Sequence, residues 1–299
     1  MMGAQSPFVS TDWLRENLSA PEVRVVDATW YLPNDARDAR AEYAQRHIPG
    51  AVYFDLDRIA DTTSDLPHMV APPDVFSDKV GELGIRDTNT IVIYDAPGLF
   101  SAARVWWNFR IMGAQNCFVL KGGLNRWMAE GHPVTDQRAT PARVPFTARF
   151  ADTKVISEAQ IQALLKTPDI REKFQFVDLR PAMRFAGLEE EPRPGVRSGY
   201  MPGSINLPYS DLIEGDQLCE PEQLAERIRA AGIDPEKPLI ASCGSGVTAP
   251  ILCLALAELG INAMHVYDGS WAEWAAQNDN PVLGADGNPA PAASGATER

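Results

Sequence analysis

Cys243 stands where two local patterns meet. Before it, Leu239-Ile240-Ala241-Ser242 is a short apolar run of the kind that forms a buried strand. After it come Gly244-Ser245-Gly246-Val247-Thr248-Ala249, then an apolar stretch from Pro250 to Leu259 closed by Gly260. Proline suits the first turn of a helix and glycine the position just past its last, so the spacing predicts strand, turn and helix. Such a turn aims backbone N–H groups inward, and the helix start behind it adds partial positive charge. A cysteine at its base ionises more readily than a free thiol, and the thiolate is the nucleophile. The chemistry to expect is attack by Cys243, with the charge held by the turn of Gly244, Gly246, Val247 and Thr248.

The segment Cys243-Gly244-Ser245-Gly246-Val247-Thr248 resembles the active-site loop of the mercaptopyruvate sulfurtransferases, within the rhodanese superfamily. The related thiosulfate sulfurtransferases usually carry Arg-Lys after the cysteine, where this chain has the neutral Gly244-Ser245. The resemblance implies that Cys243 takes sulfur from a small-molecule donor as a persulfide. It also implies discharge to a thioredoxin-like or low-molecular-weight thiol, or to cyanide, with no metal or cofactor. Two arginines hold the donor's carboxylate and carbonyl in that family, and by position they are Arg184 and Arg193. Arginine suits the task because its planar fork meets a carboxylate with two parallel hydrogen bonds. The residues alone leave a second reading open, since Glu189 to Glu191 could neutralise either arginine on a solvated loop.

A proton must also move when a C–S bond breaks. Ser245 lies two residues past the nucleophile and can reach the same pocket. Asp57 and His68 resemble the family segment that supplies an aspartate and a histidine, so the resemblance implies a Ser245–His68–Asp57 relay. Read alone, His68 after Asp-Leu-Pro is a loop residue. A thiosulfate donor is the nearest rival reading, although a dianion wants cationic side chains in the loop. A cysteine phosphatase is excluded on spacing, because its arginine would stand six residues after the cysteine, where this chain has Ala249.

The elements that must position these groups come in two copies. Ser10-Thr11-Asp12-Trp13-Leu14 and Ser157-Glu158-Ala159-Gln160-Ile161 are helix-cap patterns, followed by the strands Val23 to Asp27 and Phe176 to Asp178. His47-Ile48-Pro49-Gly50 parallels Tyr200-Met201-Pro202-Gly203, and Lys121-Gly122-Gly123 with Trp127 parallels Asp268-Gly269-Ser270 with Trp274. The near-constant offset marks an internal duplication. Short apolar strands alternating with helices predict an α/β fold. The resemblance makes it two tandem rhodanese-like domains, each a parallel sheet flanked by helices on both faces. The expected boundaries are 7–135, a linker over 136–154, a second domain over 155–284, and a disordered tail over 285–299. The position matching Cys243 in the first copy is Asp95, and a carboxylate cannot do thiol chemistry, so the first domain is expected to be catalytically inactive.

Bulk properties narrow the partners. A formal net charge of -13 over 299 residues repels nucleic acid and anionic membranes. No run approaches the roughly 18 apolar residues of a membrane span. Met1 to Pro7 lacks the parts of a signal peptide, so a cytoplasmic location is expected. The cysteines at 117, 219, 243 and 253 are spaced for neither a zinc site nor a disulfide scaffold. Cys117 and Cys253 read as core and Cys219 as exposed. His47 reads as a loop holder, and His265, Trp271 and Trp274 as core.

Overall fold

The computed structural model describes residues 6–167, 173–263 and 265–290. The chain forms two compact units. The first holds the residues up to Ser64, Val70–Asp152 and Ile213–Cys219; the second holds Asp65–Met69, Thr153–Leu212 and the chain from Glu220.

In the first unit the strands are β1 Phe8–Val9, β2 Val23–Asp27, β3 Val52–Tyr53, β4 Thr90–Tyr94 and β5 Cys117–Leu120. They form one parallel sheet of order β1-β5-β4-β2-β3. Its helices are α1 Thr11–Asn17, α2 Ala39–Gln45, α3 Pro73–Glu82, α4 Ala102–Ile111 and α5 Gly123–Ala129. The second unit repeats the plan with β6 Val155–Ile156, β7 Gln175–Asp178, β8 Ser204–Asn206, β11 Leu239–Ser242 and β12 Val266–Tyr267. Their order, β6-β12-β11-β7-β8, is the same order copy for copy, and again every pairing is parallel. Its helices are α6 Glu158–Lys166, α7 Ala182–Phe185, α8 Pro221–Ala230, α9 Pro250–Glu258 and α10 Ser270–Trp274. A short antiparallel hairpin, β9 Ile213–Glu214 and β10 Gln217–Leu218, belongs to the first unit.

Parallel strands covered by helices must be apolar along their length, and β4 is: Ile91, Val92, Ile93 and Tyr94 are fully buried. Val25, Val92 and Tyr94 pack with Leu14 of α1 and Trp127 of α5. Phe54, Phe76, Phe109 and Phe146 form a second cluster, with ring centroids 5.4 Å apart for Phe76 and Phe109 and 5.5 Å for Phe76 and Phe146. In the second unit Ile161, Phe176, Ile240, Trp271 and Trp274 form the matching core. The helix caps follow the sequence signals. Ser10 Oγ accepts the Trp13 N–H at 3.1 Å, and Ser157 and Gln160 make a reciprocal capping box, each worth about 1 kcal/mol.

Several expectations differ from the fold. The stretch 136–154, expected as a linker, runs along the first unit up to Asp152: Val144, Arg149 and Ala151 donate backbone hydrogen bonds to Gly81, Met112 and Ile111, and Phe146 is buried. Its scattered apolar residues have a surface to cover. The tail expected to be disordered from 285 folds back as far as Ala290, whose N–H donates to Val282 O, while Gly284 N donates to Asn288 O. The rest of the tail lies outside the described residues. Cys219, which directly follows the hairpin, is buried rather than exposed. His265 is half-buried, just ahead of a strand that spans only Val266–Tyr267. Among the described residues no helix is long and apolar enough to cross a membrane. His47 is fully buried, its Nδ1 2.6 Å from Tyr43 O and its ring stacked on Tyr43 at 4.2 Å.

Candidate active site around Cys243

The strand β11 sits between β12 and β7 in the second sheet, and Cys243 follows its carboxyl end, the edge where parallel α/β sheets place their ligands. The loop then reaches α9 at Pro250. In the first unit β4 ends at Tyr94, Asp95 follows, and α4 starts at Ala102, so the two loops have equal length. Gly98 and Gly246 take the same left-handed turn, with φ of 77° and 78°, at matching positions. Only glycine adopts that turn without cost.

Asp95 shows what such a loop holds. Its carboxylate accepts the N–H groups of Leu99 at 2.7 Å and of Phe100, Ser101 and Ala102 at 2.8 Å each. That is an anion nest closed by a helix start, filled from within. It is also covered, because a Cβ placed on Gly98 would stand 2.4 Å from Asp216 Cβ of the hairpin. In the second unit the equivalent positions are Val247, Thr248, Ala249 and Pro250. Proline has no N–H, so the second nest has one donor fewer.

Cys243 is held from its backbone. Its N–H donates to Ser270 Oγ at 3.2 Å, and its carbonyl accepts the Trp271 N–H at 3.0 Å. Ser270 hydroxyl in turn donates to Tyr267 O at 2.8 Å. Ser270 has φ of 52°, where the first copy has Gly123 at 54°. A serine in that region costs on the order of 1 kcal/mol. The cost is offset by a hydroxyl that fixes the nucleophile's peptide.

The arginines are ordered by a buried chain of charges. Arg180 Nη2 lies 2.7 Å from Asp178 Oδ2, and Arg180 Nη1 lies 2.7 Å from Glu191 Oε1. The same guanidinium covers the Trp271 ring at 4.0 Å. The other oxygen of Glu191 is bonded by Arg184 Nη2. Arg184, on α7, is thereby pressed onto the loop: a Cβ on Gly244 would stand 3.3 Å from its Nη2. Its Nε is buried and has no acceptor among the described residues. Glu191 is therefore not the surface neutraliser that composition allows; it is a buried clamp that holds two guanidiniums.

Electrostatics tie Arg193 to the same place. Burial lowers its guanidinium below the usual arginine range, the Cys243 thiolate opposes this, and the like charge of Arg184 adds to the lowering. For Arg180 burial works downward, but Asp178 and Glu191 win and hold it above its usual value. Tyr209 is raised by burial first, then by the Cys243 charge, with Arg184 opposing. By contrast, burial alone pushes Cys253 up to about 12 and Cys117 higher still, so neither thiol ionises at neutral pH.

Of the residues picked out by sequence, Cys243, Gly244, Ser245, Gly246, Val247, Thr248, Arg184 and Arg193 fold within the second unit, and His68 folds with it. Cys243, Ser245, Val247, Thr248 and His68 are buried. His68 is a non-glycine with φ of 62°, a conformation that marks constrained sites. Asp57 belongs to the first unit, where it is exposed and accepts the Trp30 Nε1–H at 3.1 Å. Sequence reasoning missed Tyr209 and Ser270. Comparing the two copies position by position could have found Ser270, because it replaces a glycine of the first copy.

A family model described as a rhodanese-like domain matches residues 10–130 and again 157–277. The 3-mercaptopyruvate sulfurtransferase of Escherichia coli K12 is 38% identical over 276 residues, covering 92% of this chain and 97% of its own. A mouse thiosulfate sulfurtransferase is 40% identical over 275 residues, covering 89% of this chain and 91% of its own. Among solved structures, an Escherichia coli crystal structure described for the rhodanese fold of 3-mercaptopyruvate sulfotransferases superposes with a TM-score of 0.81. It is 34% identical and covers 89% of this chain and 99% of that one. Overall identity does not separate the two donors; the residues beside the cysteine must.

Proposed function

The chain belongs to the rhodanese family, and on that footing we propose that it carries sulfur from 3-mercaptopyruvate, through a Cys243 persulfide, to a thiol or cyanide acceptor. The observation that carries this reading is Arg184, pressed against Gly244 with a buried Nε–H unclaimed. A donor carboxylate supplies the missing acceptor, and Arg193 takes the neighbouring oxygen. The Cys243 thiolate attacks the donor's sulfur, the C–S bond breaks, and its electron pair leaves on carbon as the enolate of pyruvate. One proton then completes pyruvate, and Ser245 and His68, both buried in the second unit, are assigned to move it. The persulfide's charge is taken by the amides of the loop, as Asp95 is taken in the first copy.

Thiosulfate is disfavoured on electrostatic grounds, because Gly244 and Ser245 bring no charge to the loop. Steady-state turnover with both donors tests the reading, and a higher kcat/KM for thiosulfate overturns it. Arg184→Ala is expected to lower kcat/KM for 3-mercaptopyruvate by about 100-fold, a lost charge-assisted bidentate contact of roughly 3 kcal/mol.

Ser270→Gly separates strain from positioning. It relieves the left-handed cost of serine but loses two hydrogen bonds, one from the buried Cys243 N–H and one to Tyr267 O, so stability is expected to fall by about 1–3 kcal/mol. The Cys243 peptide loses its anchor, and kcat is expected to fall about 10- to 100-fold with KM little changed. Urea denaturation beside steady-state kinetics checks both halves.

A further inference from the structure

We propose that Met183 and Leu188 form the docking rim for a protein sulfur acceptor, one whose reactive cysteine sits in an apolar collar with basic residues beside it. The inference rests on the sulfur-transfer reading above and names the partner of that site. Among the described residues only Val134, Met183 and Leu188 are exposed large hydrophobics, and the last two are the most exposed, at 53% and 61%. They are also neighbours, since the Leu188 N–H donates to Met183 O at 2.9 Å. The pair is the hydrophobic contact that accompanies a Schellman helix end, here left open to solvent.

The rim continues into the site. Arg184 lies between the two in sequence, and its guanidinium rests on Gly244, next to Cys243. A partner seated on Met183 and Leu188 therefore touches the helix end that sends Arg184 to the loop of Cys243. The surface is also fixed in shape before any partner arrives. The Ala186 N–H donates to Ala182 O at 2.9 Å, the Gly187 N–H to Arg184 O at 3.1 Å, and Phe185 stacks on Tyr200 at 4.6 Å. Preorganised apolar anchors ringed by charge are the usual make-up of a recognition patch.

Charge selects the partner. Glu189 and Glu190 follow Leu188, both are exposed, and neither carboxylate enters an ion pair among the described residues. With a net charge of -13 on the chain, a basic collar is the complement. Cyanide or a small thiol needs none of this surface. The acceptor thiolate attacks the outer sulfur of Cys243–S–SH, the S–S bond breaks, and its electron pair returns to the Cys243 sulfur. In a dithiol protein the second thiol then attacks the inner sulfur of the new persulfide. This closes a disulfide and releases hydrosulfide and one proton.

Reduced thioredoxin, as a dithiol protein, and cyanide serve as the two probes, with 3-mercaptopyruvate as donor. The double variant Met183→Ser/Leu188→Ser is expected to raise KM for thioredoxin at least tenfold. Its cyanide-dependent rate and its yield of Cys243 persulfide by mass spectrometry should stay at wild-type values. Glu189→Lys/Glu190→Lys should raise the same KM, and Met183→Leu/Leu188→Met should leave it low. An unchanged KM for thioredoxin in the serine variant, or an equal loss with both acceptors, overturns the docking rim. A wild type that never loads sulfur from 3-mercaptopyruvate overturns the donor reading instead, and this one with it.

Discussion

Cys243→Ser is expected to abolish sulfur transfer, with kcat/KM falling at least about 10,000-fold for every donor. The substitution is close to isosteric, so the loop, the Ser270 anchor and the arginine clamp all remain. What disappears is the thiolate: an alcohol keeps its proton at neutral pH and cannot form the labile S–S bond that the second half-reaction breaks. Cys117 and Cys253 cannot stand in, because burial pushes both thiols far above neutrality. The measurement is twofold. Mass spectrometry after donor exposure should show the gain of one sulfur, about 32 Da, on wild type and none on the variant. Calorimetric binding of pyruvate should persist in the variant, because Arg184 and Arg193 are untouched. Residual turnover above a hundredth of wild type would move the nucleophile elsewhere.

Asp95→Ala is expected to cost the first unit about 3–5 kcal/mol. Asp95 is 1% exposed, and its carboxylate takes four backbone amides. Removing it leaves those N–H groups buried, aimed at one another's positive ends and without an acceptor. Asp95→Asn keeps one carbonyl oxygen but turns an NH2 toward donors, so it should lose an intermediate amount. Denaturant titration of both variants checks the order. A loss under about 1 kcal/mol for alanine would mean that the amides have other acceptors and that the nest is not held by its anion.

Much of this was legible before any coordinates. The strand–turn–helix around Cys243 follows from a short apolar run, two glycines and a proline, each with a local meaning. The duplication predicts the repeated sheet, since equal spacing of caps, strands and Pro-Gly turns leaves few topologies, and both sheets have the same strand order. The neighbourhood of Arg184 and Cys243 was reachable only through the family pattern, because the two are 59 residues apart and no periodicity links them. Glu191 was not legible: three consecutive glutamates look alike in sequence, and only packing decides that one is buried between two guanidiniums while its neighbours face water. The role of Arg180 is hidden in the sequence for the same reason. Its work is indirect, through Asp178, Trp271 and Glu191. The burial of Cys219 and Phe146 was not legible either, because it depends on what the rest of the chain lays over them.

No single break in the backbone can free either unit intact. Each needs a stretch encoded on the far side of the junction near Asp152: Ile213–Cys219 for the one, Asp65–Met69 with His68 for the other. Halves expressed from a split gene would each lack one stretch of their own unit, and a protease that nicks the junction would leave that stretch on the other fragment.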